Sequence, residues 1–197
     1  CQQKSCPKVG VVGEIFLKFN PFAQKDITTW LIDRGIEVVP PLMTDFFMQS
    51  FVNMKVNQDS HIKKKYIPDF AIDWLYGKVQ KQIDKINKIG KAFLYFQPFE
   101  NIYEKAEKAK QVISLNTQFG EGWLIAGEMS SFASQGINHV ISLQPFGCIA
   151  NHIVEKGIEK RIKSVYPQIN ILSLDFDSSV SDVNIINRLL LFVDNIK

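Results

Sequence analysis

The fold is decided by residues 138–177, NHVISLQPFGCIANHIVEKGIEKRIKSVYPQINILSLDFD. Residues 138–145 have the short β-branched and apolar pattern of a buried strand. Residues 148–167 have helical spacing and end at a proline, and residues 169–177 again have a strand pattern. A strand, a helix and a strand in this order predict two parallel strands joined by a crossover helix.

The same alternation occurs at the other end of the chain. The pattern predicts a strand at 8–16, a helix at 23–35 that ends at Gly35, and a strand at 36–41 that ends at two prolines. Further helices are predicted at 121–136 and 181–196. We therefore expect an α/β protein with a flavodoxin-like, four-stranded parallel sheet of order 2-1-3-4, covered by helices on both faces.

The middle of the chain lacks strand signals. Residues 43–115 are rich in Lys, Gln, Asn, Phe and Tyr, and apolar residues at helical spacing occur over 69–93 and 101–115. We interpret residues 43–115 as a helical insertion between the second and third strands.

Composition limits the classes of function. The chain has 197 residues, 22% charged residues and a net charge of +3, which is typical of a soluble globular protein. Its one basic run, Lys63-Lys64-Lys65, is too short for a nucleic-acid surface, and no apolar run could span a membrane. We expect one α/β domain over residues 1–197, as a piece of a longer protein. An odd count of three cysteines favours a reducing compartment.

Ligands of open α/β sheets bind beyond the carboxyl ends of the strands, near the point where the strand order reverses. In this chain the loops at those ends are 14–20, 40–44, 144–148 and 175–179. From these loops we predict Glu14, Asn20 and Gln144 as substrate-binding residues. Taken singly, Glu14 and Asn20 have a plainer interpretation, as do Asp175 and Asp177, since polar residues at such positions often cap the next helix.

Cys148 is the residue of this edge with the strongest chemistry. Pro145 prevents the strand from continuing into the helix, and Gly147 lets a ligand approach the backbone. A helix N-terminus stabilises a thiolate, which is a nucleophile and a soft metal ligand. The alternatives are a buried small hydrophobic side chain, or a hydrolase pair with His152. The chain has no zinc-ligand spacing and no phosphate-binding glycine motif.

Three stretches together resemble one known family. They are KVGVVGEIFLKFNPFAQKDITTWLIDRGIEVVPP (8–41), GEGWLIAGEM (120–129) and the long stretch ISLQPFGCIANHIVEKGIEKRIKSVYPQINILSLDFDSSVSDVNIINRL (141–189). In this order they resemble the 2-hydroxyacyl-CoA dehydratase component family, and within it the CoA-enzyme activase-related proteins. The insertion matches this family least.

The resemblance implies a C-terminal flavodoxin-like domain of a cytoplasmic protein from an anaerobe. Such proteins hold a [4Fe–4S] cluster between α/β domains, and an ATP-dependent activator delivers single electrons. Cys148 matches a position from which the family draws one cluster ligand. The other ligands would come from a preceding α/β domain or a sister subunit, with an acyl-CoA as candidate substrate. We could not match Cys1 and Cys6 to family ligands.

Two interpretations of function follow. In the first, the chain is a domain of an iron–sulfur redox component, a lyase or a reductase, with Cys148 as one ligand and catalytic residues unknown. In the second, it is a non-enzymatic domain of an activase-related protein that docks a partner after loss of the cluster. In either case we expect no cluster in this chain alone, since one thiolate does not hold a cubane.

Overall fold

A computed structural model describes residues 6–62, 67–94, 96–177 and 181–196. Cys1, the run Lys63–Lys65 and the end of the predicted loop 175–179 lie outside these ranges. Within them, no helix combines the length and apolar character needed to cross a membrane.

The sheet has four parallel strands in the order β2-β1-β3-β4, which confirms the predicted topology. The strands are β1 (Lys8–Gly13), β2 (Glu37–Val39), β3 (His139–Pro145) and β4 (Asn170–Phe176). The helices are α1 (Ile15–Phe19), α2 (Ile27–Ile32), α3 (Met43–Asp59), α4 (Asp69–Gly90), α5 (Ile102–Lys110), α6 (Trp123–Ser134), α7 (Lys156–Val165) and α8 (Asp182–Asp194). A π-helix, Ala150–Glu155, leads directly into α7.

Apolar side chains fill both faces of the sheet, because the strands are buried on both sides. On one face, Ile141 and Leu143 of β3 pack with α2 and α8, represented by Leu31 and Leu189. On the opposite face, Val140 packs with side chains from α6, the π-helix and α7. The face that a β3 side chain occupies therefore alternates along the strand, as expected for a period of two.

The insertion is helical, as predicted, and has its own core. Helices α3, α4 and α5 occupy most of residues 43–115. Side chains of α3 and α5 form a third apolar cluster with α6, in which Trp123 is completely buried. Helix α6 thus packs against both the sheet and the insertion, and it joins the two.

The structure adds detail at the carboxyl ends of β1 and β3. The predicted loop 14–20 contains the short helix α1, and the predicted helix 148–167 begins as a π-helix. Gly13, which ends β1, has φ 110°, and a Cβ there would lie 2.1 Å from the carbonyl oxygen of Leu143. Only glycine permits this close approach between the ends of β1 and β3.

Candidate functional site

Cys148 lies in the loop that leaves β3, immediately before the following helix. Its backbone N–H donates to the carbonyl of Pro145 at 3.2 Å, and its carbonyl accepts from the N–H of His152 at 2.8 Å. Gly147 has φ 80°, which turns the chain after Pro145. Cys148 therefore occupies the cap of the helix rather than its first turn, and it is half-buried against the α6 face of the sheet.

Large apolar side chains around Cys148 are exposed. Phe146 is 72% exposed, Ile149 55% and Ile153 66%. Phe119, in a loop whose Gly120 lies against Ala150 of the π-helix, is exposed as well. We call the four side chains Phe119, Phe146, Ile149 and Ile153 the apolar edge. Clustered apolar residues on a surface commonly mark a protein interface.

Glu14 and Asn20 cap local structure. A carboxylate oxygen of Glu14 accepts from the N–H of Leu17 at 2.9 Å, at the start of α1. The side-chain oxygen of Asn20 accepts from the N–H of Ala23 at 3.2 Å, in the turn after α1. These are the capping roles that polar residues commonly have after a strand.

Gln144 has different surroundings. It is completely buried near the carboxyl end of β3, and neither its amide nitrogen nor its amide oxygen has a hydrogen-bond partner among the described residues. It lies opposite Asp175 of β4. Leaving a buried amide unpartnered is costly, so each such group in a native protein requires an explanation.

Further polar side chains lie on the same face. Ser142, two positions before Gln144, is opposite Ser173, and the hydroxyl of Ser173 donates to Glu155 at 2.8 Å. The hydroxyl of Ser142 and the second oxygen of Glu155 have no partner among the described residues. Burial raises the pKa of Glu155 to about 7, against a smaller opposing effect of the Ser173 hydrogen bond. Glu155 therefore changes protonation near neutral pH.

A charged side chain, Asp175, lies at the outer end of this group of polar side chains. Asp175 accepts from the ammonium of Lys156 at 3.2 Å, and one of its oxygens lies 3.5 Å from Nε2 of His152. The His152 ring packs edge-on against Phe146. His152 and Glu155 both belong to the π-helix, which thus places them over the ends of β3 and β4. Such π-helical segments are frequent at functional sites.

The structure brings some predicted site residues together and separates one. The N–H of Glu14 donates to the carbonyl of Leu143 at 3.0 Å, so Glu14 and Gln144 occupy neighbouring strand ends. Cys148 follows Gln144 in the same loop. Asn20 lies at the opposite end of α1, in contact with Ala23. The carboxyl edge between β1 and β3 is therefore the candidate site, with Asn20 at its periphery.

One thiolate does not complete a metal centre. Within the described ranges, no group of three or more His, Cys, Asp or Glu side chains is arranged to hold a metal ion. A [4Fe–4S] cluster takes about four ligands, typically cysteine thiolates. Cys148 fits such a cluster as one donor, and the described part of the chain does not supply the full set.

Sequence reasoning missed two buried ion pairs beside the sheet. Lys18 of α1 contacts both carboxylate oxygens of Glu128 at 3.0 and 3.2 Å, and Lys105 of α5 contacts Asp45 of α3 at 2.5 Å. Burial raises the pKa of Glu128, and the nearby Lys18 opposes this rise. The available signal was a lone glutamate within the apolar run 123–129, since a buried carboxylate needs a partner.

Comparison with known proteins adds no assignment to this geometry: no protein-family model, no curated protein and no solved structure matches the chain.

Proposed function

We propose that this chain is one half of an iron–sulfur redox site in a cytoplasmic protein of the 2-hydroxyacyl-CoA dehydratase type. Cys148 donates one thiolate ligand, and a preceding α/β domain or a sister subunit supplies the others. The observation that supports this best is the position of Cys148 at the carboxyl edge of β3, within the apolar edge. A thiol placed there can be shared with a second protein surface.

The apolar edge supports the requirement for a partner. Phe146, Ile149 and Ile153 are each more than half exposed. Burying apolar area is favourable by about 25 cal/mol per Å², so a partner that covers these side chains would gain affinity and would exclude water from Cys148. Iron–sulfur potentials depend on such exclusion of solvent and on hydrogen bonds to the sulfur atoms.

The proposed cofactor supplies one-electron transfer, with electrons delivered by an ATP-dependent activator. The protein side of the site would bind and orient substrate. The candidate substrate is an acyl-CoA. In this proposal Gln144 and Glu14 contact it from neighbouring strand ends, and Asn20 contacts it from the periphery of the site. The amide of Gln144 is committed to no other described group, and because it is completely buried, its contact with substrate requires a movement of the loop that follows β3.

A second candidate function is a docking domain without a cluster. The apolar edge favours it equally, since a partner can bind Phe146 and Ile153 whether or not Cys148 holds iron. The two candidates differ in what Cys148 does, and this difference can be measured.

The test uses the complete gene product, purified without oxygen and supplied with iron and sulfide. We expect bound iron and a charge-transfer absorbance band, both of which Cys148→Ser reduces. Cys6→Ser is the matched control, because Cys6 is an exposed cysteine that precedes β1. Iron content that Cys148→Ser leaves unchanged would contradict the cluster proposal. Absence of iron, together with partner binding that Phe146→Ser abolishes, would support the docking domain.

A further inference from the structure

Helix α4 carries large apolar side chains on its solvent side. Trp74 and Ile89 are each 65% exposed, Phe70 is more exposed still, and Leu75 and Ile86 are about half exposed. The side chains with which α4 packs into the third apolar cluster are different ones, Tyr76, Val79 and Ile83. Helix α4 therefore has a second apolar surface, which the described part of the chain leaves uncovered.

Four lysines share this solvent side. They are exposed, and they are Lys78, Lys81, Lys85 and Lys88. At about 100° between successive residues, these lysines and the five exposed apolar side chains fall within one sector of roughly 160°. The ammonium of Lys78 lies 5.4 Å from the ring centroid of Trp74, so the basic and apolar groups adjoin. We call this sector the outer face of α4.

The acidic residues of α4 lie outside the outer face. At the same spacing, Asp69, Asp73 and Asp84 fall together on a different flank of the helix. Asp73 is paired with Lys55 of α3 at 2.6 Å, and none of the four lysines of the outer face is in an ion pair with another described residue. The outer face thus combines apolar groups with positive charges that this chain does not neutralise.

Charge and apolar character together decide which partner fits the outer face. A symmetric contact with a second copy would set lysines against lysines, which is repulsive. Nucleic-acid phosphates would match the lysines but would leave Leu75, Ile86 and Ile89 without an apolar partner. The surface of a bilayer with anionic lipids matches both, since its headgroups attract lysines and its acyl chains accept apolar side chains.

We propose that the outer face of α4 binds the surface of a bilayer that contains anionic lipids. The helix axis lies parallel to the surface, Trp74 and Ile89 enter the boundary between headgroups and acyl chains, and the lysines contact headgroup phosphates. Only Ile72 of α4 is buried, so the helix is peripheral enough to reach such a surface. The proposal does not depend on the function proposed for Cys148, because α4 contributes no residue to the apolar edge.

The experiment is co-sedimentation of the 197-residue chain with vesicles. One set contains phosphatidylcholine alone, and the other contains equal parts of phosphatidylcholine and phosphatidylglycerol. We expect binding to the mixed vesicles to be at least about tenfold tighter and to weaken at high salt, because exposed charges are screened. We also expect the mixed vesicles to shift tryptophan emission to shorter wavelength, a shift that Trp74→Phe removes.

A double variant tests the lysines. We expect Lys81→Gln with Lys85→Gln to weaken binding to the mixed vesicles about twentyfold, since each lysine near an anionic surface contributes about fivefold. The matched control is Lys160→Gln with Lys163→Gln, which removes the same charge from exposed positions on α7. We expect this control to bind as the wild-type chain does.

Ile89→Ser tests the apolar part and should weaken binding about tenfold. Leu191→Ser is its control, because Leu191 is a similarly exposed aliphatic side chain on α8. Equal affinity for the two kinds of vesicle, equal losses in the test and control variants, or an emission shift that persists in Trp74→Phe would each overturn the proposal. Tighter binding to single-stranded RNA than to the mixed vesicles would assign the face to nucleic acid instead.

Discussion

Gln144 and Gln24 are both buried glutamines, but only one of them has its amide satisfied. Gln24 donates to the carbonyl of Lys18 and accepts from the N–H of Thr28, both at 3.3 Å. Gln144 has no partner among the described residues for either end of its amide. The same residue type therefore contributes to stability at one position and costs stability at the other.

Replacing each glutamine with methionine, which has a similar length, should separate these two cases. We expect Gln144→Met to raise the free energy of unfolding by about 1 kcal/mol, because an unsatisfied amide is removed. We expect Gln24→Met to lower it by about 1–3 kcal/mol, because two buried partners lose their hydrogen bonds. Urea unfolding of both variants measures the difference. Equal destabilisation by the two substitutions would show that the Gln144 amide is satisfied in solution.

Glu155 should make stability depend on pH in the range from about 4.5 to 7. Because burial raises its pKa from 4.5 to about 7 in the folded state, the folded chain retains a proton that the unfolded chain releases in this range. The free energy of unfolding therefore falls as pH rises through this range and becomes constant above it. The total loss is roughly 3 kcal/mol.

Glu155→Gln should remove this dependence, because a glutamine has no proton to release. Unfolding measured by urea across the pH range compares the variant with the wild-type chain. Glu107→Gln is the control, since Glu107 pairs with Lys110 at the surface and is not among the groups that shift the pKa of Glu155. A Glu155→Gln variant whose pH profile follows that of the wild-type chain would contradict the assignment.

At the scale of elements, the Lys18–Glu128 pair joins α1 to α6. Both side chains are almost fully buried, so neither charge is hydrated in the folded state. Removing one partner leaves an uncompensated buried charge, whereas removing both leaves none. We therefore expect the pair to contribute more to the choice of how α1 packs than to net stability.

A double-mutant cycle tests this. We expect Lys18→Met and Glu128→Met each to cost about 3–5 kcal/mol, and the double variant to recover most of that loss. The exposed pair Lys8–Glu37 is the comparison, for which each substitution should cost less than about 1 kcal/mol. Additive losses in the buried pair would mean that the two residues act through other neighbours.

The strand–helix alternation was sufficient to predict the sheet, because each strand is marked by residues that are adjacent in the sequence. The run Val140-Ile141-Ser142-Leu143 ended by Pro145 defines β3 to within one residue of its predicted start. The ion pairs could not be predicted in this way, because Lys18 and Glu128 are 110 positions apart. The π-helix also escaped prediction, since the apolar spacing over 148–167 fits an α-helix as well.

At the candidate site, the sequence predicted where side chains would gather but not how each is engaged. Glu14 and Gln144 were predicted for the same edge, and they lie on neighbouring strand ends. Glu14 caps α1, whereas Gln144 has no described partner. This difference could not be predicted, because it depends on backbone positions that only the complete fold brings together. The substrate-binding roles of Glu14, Asn20 and Gln144 remain predictions.

At the scale of the whole molecule, burial is very uneven between helices. Of the 22 residues of α4, only Ile72 is buried, whereas ten of the 12 residues of α6 are buried. Exposed helices open locally at lower free energy than helices that carry the core.

We expect hydrogen exchange to reveal this difference. Amides of α4 after Ile72 should exchange at least tenfold faster than those of α6, since about 1.4 kcal/mol of local stability corresponds to a factor of ten. Mass spectrometry of the exchanging chain measures both segments in one experiment. Equal protection of the two helices would show that α4 is stabilised by contacts beyond those described.

The position of β1 between β2 and β3 has a consequence for biosynthesis. Val9 pairs with His139, 130 positions later, while His139 pairs with Asn170, only 31 positions later. By loop-closure entropy the nearer pairing is favoured by about 1 kcal/mol. On the ribosome, β1 and β2 emerge before β3, so one of the two edges of β1 has no partner until the chain has grown past residue 143. The nascent chain therefore carries an unmatched apolar strand while the residues between β2 and β3 are synthesised, and during this period β1 is exposed to chaperones and to wrong pairing.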